Sequence, residues 1–386
     1  MLTVKTGPEL LELCESLRIW FQERNYRGID PFLLDERFFG KGFFRRGFRK
    51  WLKPLHAHVP SWAFGSLSPL VIPKALGLLI SGNAFLYRIE PKRDYLQENR
   101  KLIDLLRAAR SPLARHFAWG WPFAWGQDPR YARNFPLVCV TAPIGLFLLD
   151  HVEASGDPTP LEIAREIAAF LLEENGFKEV GQTLCFYYSR ADRFLVHNAN
   201  LFAAAFFARL FSHTKEEKFL EIARRALHFS LDRQREEGSW PYGERLPGGR
   251  GETVDHRHTS FVLEALFSIQ KVLQDDRAGE AMEKGWRYYR ENFFEGPVPK
   301  WSPPITYPCD IHDVAQAIVT VSRYGEILFA QEIVQFALHR FFDGKDQFYY
   351  KLFADGTVNR TVFFRWNQAW MFKALSFFAS EKEGSS

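Results

Sequence analysis

The chain is poor in the residues that staple or anchor a fold. Its four cysteines, Cys14, Cys139, Cys185 and Cys309, are scattered over 386 residues with no C-x-x-C spacing. That excludes a disulfide framework and a zinc knuckle. No H-E-x-x-H or H-x-x-x-H spacing occurs among the 11 histidines, so no metal motif is present and no cofactor is expected. The longest apolar run, 69–86, is broken by Pro73, Lys74 and Asn83 and reads as a buried helix rather than a membrane span. The start, M-L-T-V-K-T-G-P-E-L-L-E-L-C, lacks the apolar core of a signal peptide, and a cytoplasmic setting is expected. The net charge of +4 is slight for this length, and no nucleic-acid partner is expected. One basic run, Lys41 to Lys53, suits a peripheral membrane or acidic partner, or simply a solvated amphipathic face.

Aromatic residues are abundant: 16% of the chain, with 38 Phe, 13 Tyr and 11 Trp. They fill cores, and they also make platforms on which sugars or prenyl chains stack. Their placement is regular. Apolar helical patterns fall at 70–87, 138–154, 197–213, 256–274, 310–324 and 365–379, and charged amphipathic ones at 8–24, 93–110, 158–175, 215–237, 277–294 and 326–342. Short aromatic stretches close the hairpins: T-L-C-F-Y-Y at 183–188, S-W-P-Y-G at 239–243, P-K-W-S at 299–302 and Q-F-Y-Y at 347–350. From 138 onward the apolar helices recur about every 55–60 residues, in the range of repeat architectures.

Each repeat is an αα-hairpin with an inner helix apolar all round and an outer helix with one wet face. An open solenoid needs polar terminal caps, yet the last apolar helix, W-N-Q-A-W-M-F-K-A-L-S-F-F, is as apolar as the central ones. The expected fold is therefore all-α, an (α/α)6 toroid formed as a single domain over residues 1–386, with an irregular basic segment at 27–68.

The chemistry-bearing residues gather where inner helices begin: V-H-N-A-N-L, D-H-R-H-T-S-F, C-D-I-H-D-V-A-Q and R-W-N-Q-A-W. In a toroid these ends converge on one mouth, with the aromatic stretches at its rim. Asp255, His258, Asp310 and His312 are the candidate catalytic residues, since an imidazole beside a carboxylate suits proton transfer near neutral pH. His256 and Asp313 belong to the same acid/base group. The candidate substrate-binding residues are Trp125, Asp128, His197, Asn198, Asn200, Tyr242, His256, Trp301, Trp366 and Gln368. Helix capping accounts equally well for an isolated Asp255 or Asp310, and for Asn198 and Asn200. A metal set of His197, His256, His258, Asp310 and His312 lacks any supporting spacing.

Gln234-x-x-x-Gly238-x-Trp240 resembles the structural repeat of terpenoid cyclases and prenyltransferase-like toroids. The acid motif of class II cyclases is represented only by Asp310-Ile311-His312-Asp313, without its middle acid. The fragments G-W-P-F-A-W, V-H-N-A-N-L, S-W-P-Y-G, H-T-S-F-V-L-E-A-L, D-I-H-D-V-A-Q-A-I and R-W-N-Q-A-W are similar to bacterial polysaccharide-biosynthesis-associated α/α-toroid proteins of the VpsJ-like group. That resemblance spans most of the chain after about Gly77. It implies a six-hairpin, glycosidase-like toroid near cell-surface glycan assembly, with a saccharide or glycan intermediate as partner and contact with a glycan-assembly complex. It fixes neither a reaction nor an oligomeric state. Hydrolysis, epimerisation and lyase-type proton abstraction stay open, beside an isoprenoid-handling toroid and a non-catalytic scaffold.

Overall fold

The computed structural model describes residues 7–33, 67–125, 130–244 and 246–384. The basic run Lys41 to Lys53 and Asp128 lie outside them. Among the described residues are twelve α-helices: α1 (Gly7–Glu23), α2 (Pro73–Ile89), α3 (Arg93–Ala108), α4 (Val138–Ser155), α5 (Pro160–Ala169), α6 (His197–Thr214), α7 (Glu217–Leu231), α8 (His256–Leu273), α9 (Asp276–Asn292), α10 (Ile311–Arg323), α11 (Ile327–Arg340) and α12 (Trp370–Gly384).

Helix α2 packs on α4, α4 on α6, α6 on α8, α8 on α10, α10 on α12, and α12 returns to α2. The inner ring is closed. Outside it, α3, α5, α7, α9 and α11 each pack on the inner helix before them, and α1 packs on α12. The sixth hairpin is thus shared between two distant parts of the chain. This is an (α/α)6 toroid.

The two layers follow from side-chain periodicity. Helix α9 buries Ala278, Ala281, Gly285 and Tyr289, one stripe at steps of three and four that leaves the other faces in water. Helix α6 is buried without a break from His197 to Ala208, because it is covered by two ring neighbours and by α7. The clasp Gln234–Trp240 shows how layers are joined. Gln234 Nε2 donates to the Gly238 and Ala281 carbonyls at 3.0 and 2.8 Å. Trp240 Nε1 donates to Ser230 O at 2.9 Å, and its ring lies so close to Gly285 that an added Cβ would meet it at 2.6 Å. The charged pattern at 215–237 therefore stops being helical at Leu231, where this turn begins.

The inner helices start in one repeated way. The first helical N–H of α4 (Val138), α6 (His197), α8 (His256) and α10 (Ile311) donates to the carbonyl of Tyr188, Tyr242, Trp301 and Tyr350, respectively, at 2.9–3.3 Å. Each acceptor belongs to the aromatic connection of the following turn of the ring. Phe364, which opens a π-helical turn (Phe364–Ala369) leading into α12, donates to Ile29 O at 2.9 Å. Helix α2 begins with Pro73, which has no N–H to satisfy. The connections also pair as short strands, β1 (Leu195–Val196) with β2 (Gly243–Glu244) and β3 (Cys309–Asp310) with β4 (Lys351–Leu352).

Ring closure is fastened by Arg365 and Asp30. Arg365 Nε and Nη2 donate to the two carboxylate oxygens at 2.6 and 3.0 Å, and both residues are buried. A two-point guanidinium–carboxylate pair fixes orientation as well as charge.

Candidate functional site

The shared start places the second residue of each inner segment at one level: Lys74, Cys139, Asn198, Arg257, His312 and Arg365. Contacts across the ring show that this level reaches the axis. Lys74 Nζ, from α2, lies 5.7–5.8 Å from the ring centroids of Phe202, Phe261 and Trp370, on α6, α8 and α12. Among the described residues its one hydrogen bond runs to Cys139 O at 2.9 Å.

At the head of α8, Asp255 is both cap and partner. Its Oδ1 accepts from His258 N at 3.1 Å and its Oδ2 lies 2.6 Å from His258 Nδ1. Burial alone would raise the Asp255 carboxyl. His258, with Arg257 beyond it, outweighs that and holds it well below the usual carboxylate range. The carboxylate therefore stays ionised and orients the imidazole, while the His258 side chain remains 36% exposed. Tyr242 packs edge-on against that imidazole, with centroids 4.6 Å apart. Asn198, Tyr242, Asp255 and His258 line one small cavity.

At the head of α10, Asp310 caps His312 N at 2.9 Å and also accepts from Trp366 Nε1 at 2.8 Å. Lys351 Nζ stands 3.6 Å from its other oxygen. His312 is buried, stacked on Trp370 at 4.5 Å and edge-on to Trp366 at 4.7 Å. Among the described residues neither ring nitrogen has a hydrogen-bond partner. Burial, then the nearby positive charges of Arg257, Arg365 and Lys74, push its pKa well down, so the ring is neutral. One ring, Phe261, lies 6.2 Å from His258 on one side and 6.2 Å from His312 on the other.

Arg257 joins the two heads. It lies over the Trp366 ring at 4.7 Å and pairs with Asp313, Nε to Oδ1 at 2.8 Å, out of line for a hydrogen bond. Burial pushes the Asp313 carboxyl up, against the pull of Arg257 and with the help of Asp310 and Asp255.

The structure sorts the sequence-derived candidates by direction. Asp255, His258, Asp310, His312, Tyr242, Asn198 and Trp366 meet at the mouth. Others face the outer layer. His256 Nε2 and Tyr289 Oη are 2.9 Å apart, and burial lowers that imidazole to about 3. His197 Nδ1 meets Ser230 Oγ at 3.2 Å and is held at about 4 for the same reason. Asn200 accepts from Phe186 N and donates to Ala226 O and Ser230 Oγ. Gln368 accepts from Phe348 N at 2.7 Å and donates to Asp346 O. These four hold helix starts to the strands and outer helices. Trp301 is 40% exposed at the rim, its carbonyl anchoring His256 N. Trp125 is half-buried against Tyr131, Tyr188 and Phe32. Sequence reading missed Lys74, Arg257 and Arg365 as a set. The available signal was their shared position, second in each inner segment.

No protein-family model matches this sequence, and no curated protein matches it by sequence. Solved structures do match the fold. A cellobiose 2-epimerase from Bacillus thermoamylovorans superposes with a TM-score of 0.65 at 12% identity, covering 81% of this chain and 88% of that one. A family 76 α-mannanase of Bacteroides thetaiotaomicron gives 0.62 at 10% identity, over 82% and 88%. A glycosyl hydrolase family 88 protein from Bacteroides vulgatus gives 0.60 at 13% identity, over 98% and 99%. At such identities the likeness establishes the six-hairpin toroid.

Proposed function

We propose that the mouth carries out acid/base chemistry on a saccharide, with His258 and His312 as the two proton-transfer groups. The observation that carries this reading is the pair of imidazoles flanking Phe261. One is oriented by a carboxylate and open to solvent. The other is neutral, buried and without any hydrogen-bond partner among the described residues, an arrangement that costs stability unless a ligand completes it. Proton abstraction beside a carbonyl, as in epimerisation or lyase-type elimination, suits one neutral imidazole and a second oriented by a carboxylate. Hydrolysis by paired carboxylates suits this mouth less, because Asp255 serves His258, Asp310 serves Trp366 and the cap, and Asp313 serves Arg257. Tyr242, Trp301 and Trp366 supply stacking faces and Asn198 an amide for hydroxyls. The carbohydrate-active neighbours in the same fold support this class of substrate.

The isoprenoid reading calls for an apolar barrel, and the charged axial level of Lys74, Arg257 and Arg365 weighs against it. The scaffold reading requires Asp255 and Asp310 to act as caps alone, whereas each also holds a mouth side chain. We place the reaction in the cytoplasm, within surface-polysaccharide assembly, on the sequence fragments quoted above. The test is incubation with reducing oligosaccharides and uronate oligosaccharides in deuterated water, followed by NMR. Deuterium incorporation or a new product, lost in both His258→Ala and His312→Ala, is expected. Absence of exchange, turnover and binding across both glycan sets would sink the reading. Unchanged surface glycan after deletion of the gene in its source cell would remove only the biosynthetic setting.

A further inference from the structure

Below the mouth, the axis of the ring holds a second polar space. A cavity of about 70 Å³ lies among the inner helices, walled by Phe147, Phe202, Phe261 and Trp370. Two lysines, Lys74 and Lys373, also line it. Both are more than nine-tenths buried. Lys74 Nζ and Lys373 Nζ lie 5.8 and 5.9 Å from the centroid of the same Trp370 ring, and Lys373 Nζ lies 5.7 Å from Phe147.

Charge is unbalanced there. The cavity is lined by four cations, Lys74, Lys373, Arg209 and Arg323, and by two carboxylates, Asp150 and Glu264. Both carboxylates are already engaged by arginine, Asp150 with Arg209 at 2.9 Å and Glu264 with Arg323 at 3.5 Å. Among the described residues no carboxylate oxygen lies within 4 Å of either lysine Nζ. Lys74 has a single carbonyl acceptor, and the rest of each ammonium faces aromatic rings. Burying an ammonium without an ion-pair partner is unfavourable, and cation–π contact offsets only part of that cost. Burial correspondingly lowers both amines, Lys74 to about 8.

We propose that this axial cavity is a binding site for one oxyanionic group, held between Lys74 and Lys373. Its volume admits a carboxylate or a tetrahedral oxyanion, on the measure that a water occupies about 30 Å³ in the liquid. The site adjoins the His258–His312 mouth, sharing Phe261 and Trp370 with it, and its oxyanion binding stands whether or not that mouth performs chemistry.

The experiment is thermal unfolding and calorimetric titration of the full chain with inorganic phosphate, against sodium chloride at matched ionic strength. An upward, saturating shift of Tm in phosphate but not in chloride is expected. Glucuronic acid against glucose separates a sugar-borne carboxylate from the free oxyanion, and a saturating response to either acid supports the site. Lys373→Met removes a buried ammonium that has no ion-pair partner among the described residues, so it should melt higher than the wild type in chloride and lose the oxyanion response. Should Lys373→Met fail to fold, Lys74→Met provides the same comparison. The proposal is overturned if phosphate and glucuronic acid both behave as chloride and glucose do, or if the folded lysine variant keeps the wild-type response.

Discussion

His256 and His258 stand two residues apart in the first turn of α8 and live in different chemical worlds. His256 points outward, fully buried, bonded to Tyr289 of the outer layer and held neutral. His258 points to the mouth, half-buried, with its Nδ1 fixed by an ionised Asp255. Asn200 and Asn198 repeat the division in α6, one bonded to backbone and Ser230, the other lining the mouth cavity. The first turn of an inner helix thus serves two surfaces at once: one face secures the ring and the other equips the axis.

The division is broken most directly by exchanging the two histidines' fates. His258→Ala, compared at equal folded fraction because Asp255 loses its partner, should lower turnover by about 10²–10⁴, the usual contribution of a positioned acid/base group. His256→Ala at equal folded fraction should leave turnover near wild type. Equal losses would erase the distinction. Arg365→Ala tests the ring rather than the mouth. Stranding Asp30 in the interior should destabilise the fold by about 3–5 kcal/mol, read by denaturant unfolding. His256→Ala should cost about 1–3 kcal/mol, because Tyr289 loses its buried partner. Asn200→Ala should fall in the same range, and Asn198→Ala should stay within about 0.5 kcal/mol.

The outward histidines also set a pH signature. Their folded pKa values, about 4 for His197 and about 3 for His256, lie below the ordinary 6.5. As pH falls the unfolded chain takes up protons first, so their stabilising contribution is present above about 6.5 and is lost between there and about 3. His256→Gln should flatten the stability–pH slope in that window, whereas an unchanged slope would mean that other groups dominate.

Much of this was legible in the sequence. The repeat spacing located five inner helices and apolar composition the sixth, α2, because helices covered on every side must be apolar on every side. The H-x-H of α8 and the D-x-H of α10 marked the mouth. The facing of each first-turn residue was not legible, since helix starts at 197, 256 and 311 differ in residue type and only the shared hydrogen bond to the following aromatic carbonyl sets their register. His197, His256, Asn200 and Gln368 look like ligands in sequence for that reason. Lys74 showed only as an interruption in an apolar run, and Arg365 and Asp30 lie 335 residues apart, beyond any local pattern.

The split hairpin has a consequence for synthesis on the ribosome. Helix α1 is made before any of its partners, while the surface that receives Trp20 and Phe21, namely Phe364 and Phe372, is made far later. Until that segment emerges the apolar stripe of α1 is uncovered, a natural client for a chaperone. The Asp30–Arg365 pair works as a completion check: only a chain translated beyond Arg365 can neutralise Asp30. Stalled products ending before that point are therefore expected to be open arcs, recognisable to proteases by an unseated first helix.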